Sequence, residues 1–185
     1  MFDEDIKIAD FGDKQKKIQP ASKAQSSYEE YDRENAKGNT VRAKAFGADL
    51  ADSLVANIDR FTAGEEENEN SEIAVQRGML MVFAAIVCIE GKIESSVVSQ
   101  IAENSFNEEL QKKSPQLYAA VKQSGALSFY YLAYRRGNEV DRRIGQTFAM
   151  LCSHDGDSIY QELGEAIYCW FLMFATKKLE KSGIA

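Results

Sequence analysis

The only histidine of the chain stands beside two aspartates, in the order His154, Asp155, Gly156, Asp157 and Ser158. An imidazole and two carboxylates this close in sequence are suitable ligands for a divalent metal ion, and they can also act as general acid and base. The same residue types form tight turns before helices, in which Asp or Ser caps the helix and Gly takes a left-handed backbone conformation. His154, Asp155 and Asp157 are therefore candidate catalytic or metal-binding residues, with a capping turn as the alternative.

A second candidate site consists of four arginines around a predicted turn between two helices: Arg135, Arg136, Arg142 and Arg143. Guanidinium groups bind phosphates and carboxylates through paired hydrogen bonds, and the free N–H groups of a helix capped by Asn138 would add to an anion site. Tyrosines just upstream offer faces on which a base can stack. Glu139 and Asp141 offset part of the positive charge, so ion pairing with the acidic surface is the alternative to phosphate binding.

Other catalytic patterns are absent from the sequence. It contains no GxGxxG, Walker-type, GxSxG or HExxH motif, and a single histidine excludes any site built on two. Glu90 ends the longest apolar stretch, but Gly91 follows at once and predicts that this helix end reaches solvent. We predict no cofactor, and an enzymatic activity is the less favoured interpretation.

The three cysteines, Cys88, Cys152 and Cys169, have no CxxC spacing, and each lies in an apolar run. An odd number of widely separated cysteines is not the pattern of a disulfide framework or a zinc site. It is typical of small buried thiols in a reducing compartment.

The charge balance restricts the possible partners. The chain has 22 cationic and 29 anionic side chains and a formal net charge of -7, which argues against general nucleic-acid binding and against docking on an anionic membrane. Residues 1–6 lack the basic start and apolar middle of a signal peptide. The eleven-residue apolar run 79–89 is shorter than the roughly 20 residues that cross a bilayer. We expect a soluble, cytoplasmic protein without a membrane or nucleic-acid partner.

The elements that must position these side chains are helices. The run 79–89 is apolar on every side and predicts a helix buried on every side, with the apolar run 166–175 as its main neighbour. No stretch alternates as a strand does, and Pro115 is the only proline after Pro20. We predict an all-α fold, a single globular bundle of about seven or eight helices around the central apolar helix.

The chain divides into a polar, flexible tail over residues 1–26 and an all-helical domain over residues 27–185. A capping box at Ser27 predicts the start of the first helix, and a second one at 105–108 predicts a break or bend. Pro115, after a serine, predicts another helix start.

Two features of the tail and the first loop are worth testing. Phe2, Ile6 and Ala9 recur at helical spacing, which indicates either a docking motif for a partner or for the protein's own core, or an ordinary frayed end. The acidic run 65–70 lacks the ligand spacing of a calcium loop, so we interpret it as a solvated loop.

Three glycines, Gly78, Gly145 and Gly164, fall inside predicted helices. Each costs roughly 1 kcal/mol against alanine there. We predict that each faces another helix at a crossing too close for a side chain.

Residues 90–94, Glu-Gly-Lys-Ile-Glu after an apolar helix, resemble the acidic glycine loop of tellurite-resistance TerB-like helical domains. The resemblance covers five residues, and the acidic pairs of those domains are not evident in this sequence. It therefore assigns no function.

Two hypotheses follow from these patterns. The first is a non-enzymatic module that binds a protein partner or a second copy of itself, because the chain combines a large core, an acidic surface and a short apolar motif in its tail. The second is a small metal- or phosphate-ligand-binding protein or hydrolase that uses the His154 corner or the arginine cluster. The second hypothesis predicts a concave pocket beside one of those groups.

Overall fold

The computed structural model describes residues 20–62 and 70–184, which form eight helices and no strand. The all-α prediction is therefore confirmed for this part of the chain, with the helix number at the upper end of the expected range. The helices are α1 Pro20–Ala36, α2 Asn39–Thr62, α3 Asn70–Lys92, α4 Ser96–Lys113, α5 Pro115–Gln123, α6 Ala126–Arg135, α7 Val140–Leu151 and α8 Ser158–Ser182.

Helix α3 is the centre of the fold. Every residue from 79 to 89 is buried, and the helix contacts α8 most extensively and then α2. Phe83, in the middle of α3, has no exposed surface, and its ring stacks on those of Tyr130 and Tyr168. The predicted central apolar helix, with the run 166–175 of α8 as its main neighbour, is confirmed.

The stretch of α3 from Glu72 to Lys92 is long and apolar enough to cross a membrane, with a mean hydropathy of 1.8. This differs from the expectation drawn from the shorter run 79–89, because Ile73, Ala74 and Val75 of the same helix extend the apolar window before that run. In the fold, 67% of the apolar window is buried inside the protein. That burial is what the core helix of a globular domain requires.

Close helix crossings explain the glycines inside helices. A Cβ atom added at Gly78 would lie 2.9 Å from a methyl carbon of Leu117, and one added at Gly164 would lie 2.6 Å from Cβ of Phe148. At Gly145 it would overlap the carbonyl oxygen of Gln161 on α8. The prediction that these three glycines face other helices is confirmed.

A fourth crossing was not predicted from the sequence. A Cβ atom at Gly47 of α2 would overlap the carbonyl oxygen of Ala102 on α4 and lie 2.9 Å from the backbone nitrogen of Phe106. This glycine lets two backbones touch, and α2 and α4 are the most extensively packed pair of helices in the described part of the chain.

Three predicted helix boundaries are wrong. Helix α1 begins at Pro20 instead of Ser27, because proline is tolerated in the first turn, where its missing N–H has no helical partner. Helix α4 continues through the predicted break at 105–108, since the Ser105 hydroxyl donates 2.7 Å to the Lys44 carbonyl of α2 instead of capping a helix. Glu139, in a left-handed conformation, occupies the N-cap position of α7 that was expected for Asn138.

Two further predictions fall on residues outside the described ranges. The motif of Phe2, Ile6 and Ala9 lies before residue 20, and residues 65–69 of the acidic run lie between α2 and α3. The start of α1 makes residues 20–26, which were expected to belong to the tail, helical.

Candidate functional site

His154, Asp155 and Asp157 lie in the turn between α7 and α8. The Asp157 carboxylate accepts a 2.8 Å hydrogen bond from the Ile159 backbone N–H and caps α8. The His154 ring lies flat on the Tyr160 ring, with centroids 3.7 Å apart and an interplanar angle of 7°. Asp155 is exposed. The turn caps α8, as the alternative interpretation of this sequence predicts.

Additional ligands do not gather at this turn. Within residues 20–62 and 70–184, no three His, Cys, Asp or Glu side chains form a group that could hold a metal ion. Glu162 and Glu165, one to two turns into α8, thus do not join His154 and the two aspartates in such a group.

The arginine cluster lies around the turn between α6 and α7. Arg135 and Arg136 end α6 and are exposed. The Arg142 guanidinium lies 3.6 Å from the Glu139 carboxylate, and the Arg143 Nε donates a 2.8 Å hydrogen bond to the Asn138 carbonyl. Arg142 thus forms an ion pair, as the alternative to phosphate binding predicts, whereas Arg143 binds a backbone carbonyl of its own turn.

The cysteines differ in exposure. Cys88 and Cys152 are buried as predicted, whereas Cys169 is exposed on α8, contrary to the prediction. Loss of solvent around the sulfur, which is only partial at Cys169, is the largest cause that raises the pKa of the three thiols, that of Cys152 to about 11. Because the thiolate is the nucleophile, a raised pKa makes these thiols weakly reactive at neutral pH.

Glu90 links the end of α3 to α6, because the Tyr131 hydroxyl donates a 3.1 Å hydrogen bond to its carboxylate. Burial, and then the Glu90 charge, raise the pKa of Tyr131 well above its usual range. Burial and the same charge also raise the pKa of the Glu103 carboxyl. Glu90 itself is exposed, as Gly91 at the helix end predicts.

A groove of about 510 Å³ between α2 and α8 has the features of a binding site, although the sequence analysis did not identify it. The two helices run antiparallel along it. The Arg42 guanidinium of α2 donates a 3.4 Å hydrogen bond to the Gly183 carbonyl at the end of α8, and Lys178 forms an ion pair with Asp49 farther along α2. The groove is lined by Arg42, Ala45, Phe46, Asp49, Phe174, Lys177, Lys178, Lys181 and Ser182.

The spacing of these residues explains how two helices build one groove. Positions 42, 45, 46 and 49 lie on one face of α2, and positions 174, 177, 178, 181 and 182 lie on one face of α8. The two faces meet because deeper residues of both helices, Leu50 on α2 and Ala175 and Leu179 on α8, are buried in the core.

The floor of the groove is apolar and aromatic. Phe46 is only 3% exposed, and the half-buried Phe174 ring stacks on Trp170 with centroids 6.0 Å apart. The Lys178 ammonium lies 5.5 Å from the centre of the Phe174 ring. Trp170 is the only tryptophan of the chain, so its fluorescence is a natural reporter of changes at this floor.

The rim of the groove is positively charged. Its lining includes four cationic side chains and a single carboxylate, Asp49, on a chain whose net charge is -7. The α8 C-terminus carries a partial negative charge that Lys177, Lys178 and Lys181 offset in part. Lys178 is paired with Asp49, and one Arg42 nitrogen donates to Asn39 and Gly183. The exposed Lys177 and Lys181 are therefore the main cations for an anionic ligand.

The sequence analysis assigned no function to the residues of this groove. The three lysines at the end of α8 were visible in the sequence and match the helix dipole. Their spacing shows that they share one face, but only the packing of α8 on α2 brings them to Arg42 and Phe46. The sequence therefore contains no recognisable motif for this groove.

A second groove, of about 600 Å³, lies between α1 and the connection from α3 to α4, and its lining mixes acidic and basic residues. Two of its three carboxylates are engaged by the protein itself. Glu30 accepts a 2.7 Å hydrogen bond from the Ser95 hydroxyl, and Glu34 accepts hydrogen bonds from Lys37 and Asn39. These contacts lower the pKa of both carboxyls and tie α1 to its neighbours.

No known family, curated protein or solved structure matches the chain. The five-residue resemblance at 90–94 gains no support from these comparisons. The functional argument therefore depends on the chemistry of the sites. Neither groove is lined by the His154 corner or by the four arginines.

Proposed function

We propose that this chain is a non-enzymatic protein-interaction domain whose α2–α8 groove binds an acidic, amphipathic segment of a protein. One observation carries the proposal: an aromatic floor and a rim of four cations occur together on an acidic protein. An amphipathic helix that lays its apolar face in a groove is a recurring mode of peptide recognition.

The two parts of the groove contribute differently to binding. Apolar anchors on the ligand would cover the half-buried face of Phe174, and burial of apolar surface supplies most of the affinity of such contacts. The exposed rim cations contribute less, about 0.2–1 kcal/mol for each ion pair, and mainly select and orient an acidic ligand. A ligand carboxylate would also compete with Asp49 for Lys178.

The probe for the first test is a fluorescein-labelled helical peptide with Phe and Ile four residues apart and Glu between them. We expect it to bind the wild-type chain in fluorescence anisotropy and to change the Trp170 emission. Raising the salt concentration should weaken binding, because exposed charges are screened.

Two charge-reversal variants locate the site. K177E/K181E removes two attractions and adds two repulsions, so we expect the peptide to bind about tenfold more weakly or worse. R135E/R136E makes the same charge change at two exposed arginines outside the groove, and we expect an affinity within about twofold of the wild type. Equal affinities of K177E/K181E and the wild type, or a larger loss in R135E/R136E, would refute the groove as the binding site.

A further inference from the structure

We infer that residues 1–11 of the same chain are an intramolecular ligand of the α2–α8 groove and regulate its access to partners. This inference rests on the proposed function of the groove. It identifies residues 1–11 as a ligand of the groove, and this ligand would compete with external partners for the same site.

The composition of residues 1–11 matches the groove. The segment contains one lysine, Lys7, and four acidic side chains: Asp3, Glu4, Asp5 and Asp10. The lining of the groove has the opposite balance, with four cations and one carboxylate. Most of the basic residues of the tail lie later, between residues 14 and 17. The acidic segment is thus distinct in charge from the stretch that connects it to α1.

The apolar residues of the segment also fit an apolar floor. Phe2, Ile6 and Ala9 recur at intervals of four and three, which places them on one face of a helix, while Ile8 and Phe11 fall on other faces. The groove floor offers the half-buried ring of Phe174, which lies beside the almost fully buried Phe46. An acidic segment with apolar anchors on one face is the ligand chemistry that was deduced above from the groove alone.

The connecting stretch is long enough for this contact. Helix α1 has 17 residues, which corresponds to a length of about 25 Å. It ends at Ala36, close in sequence to the start of α2 at Asn39 and to the groove residue Arg42. Residues 12–19 can span about 26–29 Å when extended, so residue 11 can return along α1 to the end of the groove.

Tethering makes even weak binding effective. A segment joined by a short connection acts at an effective concentration on the order of 1 mM. If it binds with a dissociation constant of about 100 μM, it occupies the groove most of the time and lowers the apparent affinity for an external peptide about tenfold. The segment would therefore act as an autoinhibitory ligand that a stronger partner displaces.

The first experiment measures the affinity of the full-length chain for the acidic peptide probe. In D3K/E4K/D5K the segment loses its acidic charge, and we expect the probe to bind about tenfold more tightly than to the wild type. E65K/E66K/E67K is the matched control, because it makes the same change in net charge within a different acidic run. We expect its affinity to change by less than twofold.

The second experiment detects the contact directly. A water-soluble carbodiimide joins carboxylates to amines that touch, and mass spectrometry identifies the joined residues in a mixture of unlabelled and ¹⁵N-labelled chains. We expect links from Asp3, Glu4 or Asp5 to Lys177 or Lys181 within single chains. Links between labelled and unlabelled chains would overturn the intramolecular claim in favour of exchange between copies, and no link to these lysines would overturn the contact.

The outcomes separate this inference from the proposed function. If the probe binds the groove but D3K/E4K/D5K binds it no better than the control variant does, the inference fails and the groove remains a peptide site. If the probe binds neither the wild type nor D3K/E4K/D5K, the proposed function fails as well. Tighter binding by D3K/E4K/D5K alone, together with links within single chains, supports both.

Discussion

Replacement of Gly47 by alanine tests the crossing of α2 and α4, where an added Cβ atom would make the shortest contact found at any glycine in the described part of the chain. Helix α2 also lines the groove. The new Cβ atom would overlap the Ala102 carbonyl oxygen and lie 2.9 Å from the Phe106 nitrogen. Both neighbours are backbone atoms of α4, so neither can rotate away as a side chain can. The clash can be relieved only if α2 and α4 move apart.

The expected cost follows from two opposing contributions. A separation of about 0.5–1 Å forfeits a quarter to a half of the dispersion energy across a contact, and overpacking costs about 1–3 kcal/mol. Because the neighbours at Gly47 are backbone, we take the upper end of that range. Alanine regains about 1 kcal/mol through its higher helix propensity. The net loss of unfolding free energy is therefore about 2 kcal/mol, which lowers Tm by about 4–8 °C for a domain of this size.

Gly91 provides a matched control for the same chemical change. It lies near the end of α3, and a Cβ atom there would meet nothing within 4 Å. Gly91→Ala should therefore raise the unfolding free energy by about 0.5–1 kcal/mol. Urea denaturation and calorimetry of both variants measure the difference. Gly47→Ala and Gly91→Ala with stabilities within about 0.5 kcal/mol of each other would refute the crossing at Gly47.

Two further predictions concern the α7–α8 turn and the contacts of α1. Asp157→Ala should lower the unfolding free energy by about 1 kcal/mol through loss of the α8 cap, whereas exposed Asp155→Ala should change it by less than about 0.5 kcal/mol. A Tm that divalent metal ions raise in the wild type but not in Asp157→Ala would show instead that the turn binds metal. The Lys37 and Asn39 hydrogen bonds lower the pKa of Glu34 in the folded state. Its stabilising contribution should therefore be present above about pH 4.3, the ordinary glutamate pKa, and be lost as pH falls through the lower folded-state pKa. The difference in unfolding free energy between the wild type and Glu34→Gln should shrink in acid, and a difference that is independent of pH would contradict this assignment.

The groove differs from the candidate sites of the sequence in the origin of its residues. The His154 corner and the arginine cluster were recognised because their residues are neighbours along the chain. In the fold, neighbours of this kind satisfy one another, as the Asp157 cap and the Arg143 bond to Asn138 show. The groove instead joins one face of α2 to one face of α8, and its rim keeps cations that their own helix does not neutralise.

The sequence by itself determined the helical class and the centre of the fold. A run of apolar residues without polar positions can only be satisfied by burial on all sides, so residues 79–89 had to form the core helix. The positions of Gly78, Gly145 and Gly164 at helix crossings also followed, because a glycine inside a helix carries a cost that close packing offsets. These properties depend on local composition and period.

The tertiary structure alone decided which helix faces meet. Serine and glutamate at 105–108 have the pattern of a helix start, yet the contact of Ser105 with the Lys44 carbonyl and the burial of Phe106 keep α4 continuous. The groove likewise depends on the antiparallel packing of α2 on α8, which places Arg42 beside the lysines of a helix at the other end of the chain. Long-range packing of this kind leaves no local pattern in the sequence. The spacing of residues on a helix face shows that they share that face, but it does not show which other helix the face contacts.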